Sequence, residues 1–323
     1  MQKSIPVVFV IGPTASGKTS VSYEIAKLCG GQIVNADVGQ FYAPLAVGTA
    51  KPAWRDHVIK AHLFDICDEP KDFSVVQYRS VVLDKIRELQ TKGIVPVVVG
   101  GSLFYVQSLF FPPITIQSGS NALVPGSSPG QALRAAANAT LSWHTLSSID
   151  SVRAAQIHPN DHYRIKRALD IWATTGMLPS QLEPTFNFSA SCYIVSLEPE
   201  KHVLRDRIEQ RTKEMLEKDG WIEEAQQLLD TDWEPFVRTK GLIGYDLIFD
   251  ALRAGTATPE TLQALIALQT TQYAKRQMTF LRSMTKKIFS LSKQTPTIIL
   301  QRCSDHMAIL YAQVARLVAY LQK

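Results

Sequence analysis

The octapeptide Gly12-Pro13-Thr14-Ala15-Ser16-Gly17-Lys18-Thr19 constrains this chain more than any other feature. It fits G-x-x-x-x-G-K-[ST], a match that average composition yields by chance roughly once in a hundred chains of this length. The apolar, β-branched run Val7 to Ile11 leads into it. A helical pattern follows, with Val21, Ile25 and Leu28 on one face, and Gly30-Gly31 stops it. Strand, loop and helix in this order form a phosphate cradle. The backbone N–H groups of Gly12, Thr14, Ala15, Ser16 and Gly17 line it, together with the helix N-terminus. Lys18 adds a point charge, and the Thr19 hydroxyl is a candidate ligand for Mg²⁺. The plain alternative is a glycine-rich turn that binds nothing. The motif indicates a phosphate or diphosphate site; it does not indicate a nucleotide.

A strand feeding such a loop belongs to an α/β fold with a parallel sheet. Gln32 to Ala36 reads as a second strand ending at Asp37, and Ile94 to Val99 as a third, apolar enough to be buried on both faces. The amphipathic stretch Val75 to Lys92 (Val82, Leu83, Ile86, Leu89) reads as a crossover helix. Ligands of open parallel sheets bind beyond the carboxyl ends of strands, which places Asp37 beside the cradle. A carboxylate there needs a cation or a proton-transfer role; the alternative is an N-cap. An ATP-hydrolysing P-loop protein usually carries an aspartate at the end of such a third strand. Here the strand runs into Gly100-Gly101-Ser102, which counts against simple hydrolysis.

With 323 residues, two domains or one interrupted domain are expected. Pro112 to Pro129 is rich in Ser, Gly and Pro and reads as a linker into an insertion; residues 131–182 read as mostly helical. Cys192 to Leu197 returns to the sheet. The expected division is therefore a core of 1–112 and 190–323, with C-terminal helices and helices on both sheet faces, interrupted by a helical insertion over 113–189.

Apolar types make up 46% of the chain and the net charge is +5, which excludes a disordered chain. The four cysteines are far apart with no C-x-x-C, so reduced thiols in a cytoplasmic protein are expected. No apolar run reaches the length of a membrane helix, about 18 residues. Nothing demands an oligomer, and a monomer is expected.

Two charge patterns bear on function. Leu204, Ile208 and Met215 share a helical stripe with Arg211. An arginine on an apolar face needs a partner, because a desolvated, unpaired charge is costly. That partner is a bound diphosphate, which a guanidinium grips in bidentate fashion, or else an internal acid, or the head snorkels to water. From Thr261 to Ser304 there is no Asp or Glu but seven basic residues, with Tyr273 and Phe280 among them. A basic helix flank with aromatics suits RNA, or is a solvated surface. The same choice applies to Arg164, Lys166 and Arg167, where Arg164 and Arg167 share one helix face and Ile165 and Leu169 the other.

These residues resemble a family. Gly12 to Thr19, Asn35-Ala-Asp37-Val-Gly-Gln40-Phe-Tyr42, Gly48-Thr-Ala-Lys-Pro52, His62 to Ile66, Val99 to Ser102, His158-Pro-Asn-Asp161, Arg207 to Arg211, Gly244-Tyr245 and Ala274 to Arg282 are similar, in order, to the tRNA dimethylallyltransferases, also called tRNA isopentenyltransferases. The likeness spans about residues 5 to 290. It implies transfer of a dimethylallyl group from dimethylallyl diphosphate to the N6 amine of the adenosine 3′ of a tRNA anticodon. It implies Asp37 as base, Arg211 and the cradle on the diphosphate, and Thr19 on Mg²⁺. It also implies tRNA contacts at Asp37, Val38, Gly39, Gln40, Ser102, Arg164, Lys166, Arg167, Lys275 and Arg276. The chain departs from the family pattern at Val38, Leu103, Ala43 and Asp246. A small-molecule or nucleoside kinase is the competing enzyme, and a non-catalytic P-loop RNA-binding protein the competing class.

Overall fold

The computed structural model describes residues 5–113, 142–182, 185–291 and 298–304. The chain divides into two compact units, Met1–Phe110 with Phe186–Lys323, and Phe111–Thr185. Most of the expected linker, residues 131–141 of the expected insertion helices, and Lys293 lie outside the described residues.

The first unit is built on a six-stranded parallel sheet with helices on both faces. Its strands are β1 (Val7–Ile11), β2 (Gln32–Asn35), β3 (Ala61–His62), β4 (Pro96–Gly100), β5 (Cys192–Leu197) and β6 (Ile298–Cys303), in the order β3-β2-β4-β1-β5-β6. β1 is central: Val8 pairs with Val97 on β4, and Phe9 with Ile194 on β5. All five β1 residues are buried, as β-branched and aromatic side chains covered on both faces should be. Phe9 packs against Phe110 in a tilted pair and against Phe188 edge-on, at ring distances of 4.9 and 5.7 Å.

Helix α1 (Lys18–Cys29) ends at Gly30, whose φ of 63° suits the left-handed cap. Its inward face is Val21, Ser22, Ile25 and Ala26, about a quarter turn from Leu28, which is 44% exposed instead of inward. Helix α2 (Val75–Thr91) opens on a capping box, with Ser74 Oγ accepting from Gln77 N and Gln77 Oε1 from Ser74 N. It buries Val82, Ile86 and Leu89. The strand expected third is the fourth, because the two-residue β3 precedes it. Helix α3 (Leu103–Phe110) follows β4.

The second unit contains α4 (Trp143–Ile149), α5 (Ser151–Ala154) and α6 (His162–Thr175) around Leu146, Ala154, Ile157, Ile165, Ala168 and Leu169. Asp161 caps α6 by accepting from Arg164 N at 3.0 Å. The chain then returns to the first unit with α7 (Lys201–Glu217), α8 (Trp221–Leu228), α9 (Trp233–Lys240), α10 (Tyr245–Arg253) and the 33-residue α11 (Pro259–Leu291). The stripe of Leu204, Ile208, Arg211 and Met215 lies on α7, and Gly220, where φ is 81°, separates that helix from α8.

Candidate active site

The cradle forms where β1 ends at Gly12. Ala15 (φ 58°) and Gly17 (φ 85°) are left-handed on either side of Ser16. Left-handed residues alternating with others turn successive N–H groups into one concavity. Holding a non-glycine residue such as Ala15 there costs about 1–3 kcal/mol and marks a functional segment. No side chain caps the start of α1, so its first amides stay open to a ligand. The Ser16 hydroxyl is buried and has no hydrogen-bond partner among the described residues. Lys18 Nζ donates to Pro13 O at 2.6 Å. Burial lowers the Lys18 pKa to about 8, a fall that Asp37 opposes and Arg211 reinforces. Two of the expected cradle N–H groups are already used: Thr14 N donates to Gln277 Oε1 at 2.9 Å and Ser16 N to Pro13 O at 3.4 Å.

Asp37 stands just past β2, and its backbone is braced before its side chain is. Asn35 Oδ1 accepts from Asp37 N at 2.9 Å, and Asn35 Nδ2 donates to Asp37 O at 3.2 Å. The carboxylate accepts from Ser102 Oγ at 3.1 Å and from Gly101 N at 3.3 Å. Ser102 Oγ also accepts from Val38 N at 3.1 Å. Sterics explain why β4 ends in glycines and not in an aspartate. A side chain at Gly100 would lie 2.5 Å from the Ala36 carbonyl, and one at Gly101 would lie 3.4 Å from both Asp37 Oδ2 and Lys18 Nζ. The two glycines let β4 press against the Asp37 turn, leaving the turn's own N–H and hydroxyl to hold the carboxylate.

Arg211 of α7 borders the same cavity, a hollow of about 500 Å³ lined also by Thr14 to Thr19, Asp37, Ile208 and Met215; the expected cradle residue Gly12 is buried behind the loop and is not part of that lining. Ile208 and Met215 are buried, as the stripe requires. Among the described residues the Arg211 guanidinium has no hydrogen-bond or ion-pair partner. Burial lowers its pKa, against weaker opposing pulls from Asp37 and Asp219. Among the described residues the internal salt bridge is thus absent, and Arg211 is a desolvated cation lining the same cavity as the phosphate cradle. From α11, Tyr273 and Gln277 reach the cavity. Burial, then the Asp37 charge, pushes the Tyr273 phenol up to about 12. In the sequence Gln277 is one residue of the string Ala274 to Arg282. Its partners lie 263 and 176 residues away, and no local pattern signals them.

Val38, Gly39 and Gln40 also line the cavity. Gln40 spends its amide on the Thr49 and Ala50 carbonyls at 3.1 and 3.3 Å. That loop is held in turn by Glu224, whose carboxylate accepts from the N–H groups of Ala46, Val47 and Gly48 and from the Tyr245 hydroxyl.

Arg164, Lys166 and Arg167 are exposed on α6, opposite buried Ile165 and Leu169, in the second unit and outside the lining of this cavity. Lys275 and Arg276 are exposed on α11, with the Arg276 guanidinium 5.9 Å from the Tyr273 ring centre. The run from 261 to 304 lacks acids only in sequence. Arg282 and Arg302 both approach Glu198, at 3.4 and 3.5 Å, so those two are paired.

The donors fit a hard divalent cation that takes most of its ligands from a bound diphosphate and water. Thr19 offers an exposed hydroxyl, and the Asp37 carboxylate lines the same cavity. Among the described residues, no cluster of three or more His, Cys, Asp or Glu forms an all-protein cage. The four cysteines are free, and among the described residues no helix is long and apolar enough to cross a membrane.

A family model described as IPP transferase matches residues 40–284. The tRNA dimethylallyltransferase of Geobacter sulfurreducens is 32% identical over 288 residues, covering 85% of this chain and 88% of that protein. The tRNA dimethylallyltransferase 1 of Citrifermentans bemidjiense is 35% identical over 289 residues, covering 86% and 90%. Among solved structures, the full-length tRNA isopentenylpyrophosphate transferase of Bacillus halodurans is similar with a TM-score of 0.59 at 28% identity, covering 98% of this chain and 99% of that one. A eukaryotic dimethylallyltransferase acting on tRNA shares the fold at a TM-score of 0.72 and 24% identity, covering 94% of this chain and 75% of that one.

Proposed function

This chain belongs to the IPP transferase family, and from that membership we propose that it transfers a dimethylallyl group from dimethylallyl diphosphate to the N6 amine of the adenosine 3′ of a tRNA anticodon. The carrying observation is that one cavity holds a phosphate cradle, an arginine with no partner among the described residues and a carboxylate braced by two hydrogen bonds. The exocyclic amine of adenine is a weak nucleophile, since its lone pair is delocalised into the ring. In the transfer, the bond from N6 to the prenyl carbon forms. The bond from that carbon to the diphosphate oxygen breaks, Asp37 takes the amine proton and the diphosphate leaves. Ser102 and the Gly101 N–H aim the Asp37 carboxylate. Lys18, the cradle amides and Arg211 face the charge that grows on the leaving group, each well-placed donor contributing on the order of 10²–10³-fold. Thr19 would hold a divalent cation, Mg²⁺ in this reading, which neutralises diphosphate charge when bound. A stacked base cannot reach Asp37, so the adenosine is flipped into the cavity, where Val38, Gly39 and Gln40 border it.

We assign tRNA backbone contacts to Lys275 and Arg276 and to Arg164, Lys166 and Arg167 of the second unit, Phe111–Thr185. The protein acts as a monomer in this reading, in the cytoplasm, where its substrate is. Replacing Lys275 and Arg276 together by alanine weakens tRNA binding and lowers the slope of log affinity against log salt by roughly one unit per lost phosphate contact. Filter binding across a salt series reads this directly. If only diphosphate affinity changes, α11 is not an RNA face.

The Lys18 pKa of about 8 sets a pH signature. Below it the free protein carries the ammonium that a diphosphate needs; above it the charge is lost and must be restored on binding. Diphosphate affinity is therefore highest below pH 8 and falls by up to about tenfold per unit above it. Lys18→Arg, charged throughout this range, flattens the slope in calorimetric titration. An equal slope in that variant assigns the titration to another group.

The function itself is tested by incubating the protein with unmodified tRNA, Mg²⁺ and either labelled dimethylallyl diphosphate or γ-labelled ATP. Label enters tRNA from the prenyl donor only. Transfer from ATP to a small acceptor would establish the kinase instead, and tight RNA binding with no transfer would establish the non-catalytic RNA-binding protein.

A further inference from the structure

Gln277 joins the diphosphate cradle to the catalytic turn. Its side-chain carbonyl accepts from Thr14 N at 2.9 Å, and its amide donates to the Gly101 carbonyl at 2.8 Å. The N–H of that same Gly101 donates to Asp37 Oδ2 at 3.3 Å. One side chain thus ties the cradle to the backbone of Gly101, the residue whose own N–H holds the carboxylate. Gln277 is 7% exposed, so water does not compete for either bond. Both arms are needed, since a carbonyl satisfies the loop and an amide satisfies the strand end, and only Gln and Asn carry both. The site is tight as well: a side chain at Gly101 would lie 3.0 Å from Gln277 Nε2. Lys275 and Arg276 are exposed on the same helical turn.

We propose that Gln277 is a positioning residue that sets the separation between the diphosphate cradle and Asp37, so that the prenyl carbon meets the adenosine amine and not water. This rests on the prenyl-transfer reading. The competing outcome is hydrolysis. A water oxygen bonds to the prenyl carbon, the carbon–oxygen bond to diphosphate breaks, and the water proton passes to solvent, giving dimethylallyl alcohol and diphosphate. Misplacing reacting groups by about 1 Å costs a bimolecular transfer up to about 10²-fold. Attack by water, which needs no fixed partner, is affected less.

The test uses the full chain with tRNA, Mg²⁺ and labelled dimethylallyl diphosphate. It measures label in tRNA and diphosphate released in the same reaction. Two variants are compared: Gln277→Ala, which removes both arms, and the isosteric Gln277→Glu, which keeps the acceptor for Thr14 but as a carboxylate cannot donate to Gly101. Transfer is expected to fall about 10–10²-fold, with the ratio of diphosphate released to label in tRNA rising about tenfold and tRNA affinity unchanged. A merely structural role predicts equal losses of transfer and release, and an unchanged ratio in Gln277→Glu overturns the proposal even if Gln277→Ala fails to fold. A wild-type protein that places no label in tRNA overturns the prenyl-transfer reading itself, and this proposal with it.

Discussion

Replacing Asp37 by alanine is expected to lower prenyl transfer by about 10²–10⁴-fold, the range of a well-placed general base, while tRNA binding survives. The size of the effect follows from how the carboxylate is held. Ser102 Oγ and Gly101 N–H fix its two oxygens, and Asn35 fixes the backbone beneath it. These bonds aim the side chain before substrate arrives. The alanine variant removes the proton acceptor and leaves Lys18, Arg211 and the cradle in place, so diphosphate binding is retained. Single-turnover transfer beside a tRNA binding isotherm separates the two quantities. Turnover within a few-fold of wild type would remove Asp37 as the base.

Arg211→Met is expected to act in opposite directions on activity and stability. Arg211 is the cation with no partner among the described residues in a cavity built for an anion, so its removal lowers transfer by about 10²–10³-fold. The same isolation makes it costly to the ligand-free fold, because a desolvated charge without an ion pair is unfavourable. Neighbouring Ile208 and Met215 are buried, so a methionine side chain fits the stripe. The ligand-free variant is expected to gain stability, on the order of 1 kcal/mol. Urea unfolding without ligand reads that gain, and single-turnover kinetics the loss of transfer. A variant both inactive and less stable would mean that Arg211 is a packing residue whose charge is balanced within the fold. Lysine at this position is not equivalent, since it lacks the planar fork that grips two phosphate oxygens.

The parts of this site that could be read from sequence are those written locally. The cradle is eight consecutive residues between a strand and a helix, and its position follows from that order. Asp37 follows from the end of a strand, and the α2 crossover from its apolar spacing. Arg211 stood out because a cation interrupts an apolar stripe. What could not be read is set by pairing over long distances in the chain. Ser102 bonds Asp37 across 65 residues, Glu224 holds Gly48 across 176, and Gln277 reaches Thr14 across 263. None of these leaves a periodicity or a motif. The two-residue β3 is too short to carry alternation. The acid-free basic run misled in part, because Glu198 pairs from another element with Arg282 and Arg302. The double glycine at 100–101 read as a missing ligand; in three dimensions it is the contact that lets a neighbouring strand hold Asp37.

The most direct measurement identifies the nucleoside that receives the label. Unmodified tRNA is reacted with labelled dimethylallyl diphosphate and Mg²⁺, digested to nucleosides and separated, and the labelled nucleoside is identified by mass and by its position in the anticodon loop. A single labelled product is predicted, N6-dimethylallyladenosine from the residue 3′ of the anticodon, formed by wild type and absent with Asp37→Ala. Label on another nucleoside, or label recovered only as dimethylallyl alcohol, would contradict the account.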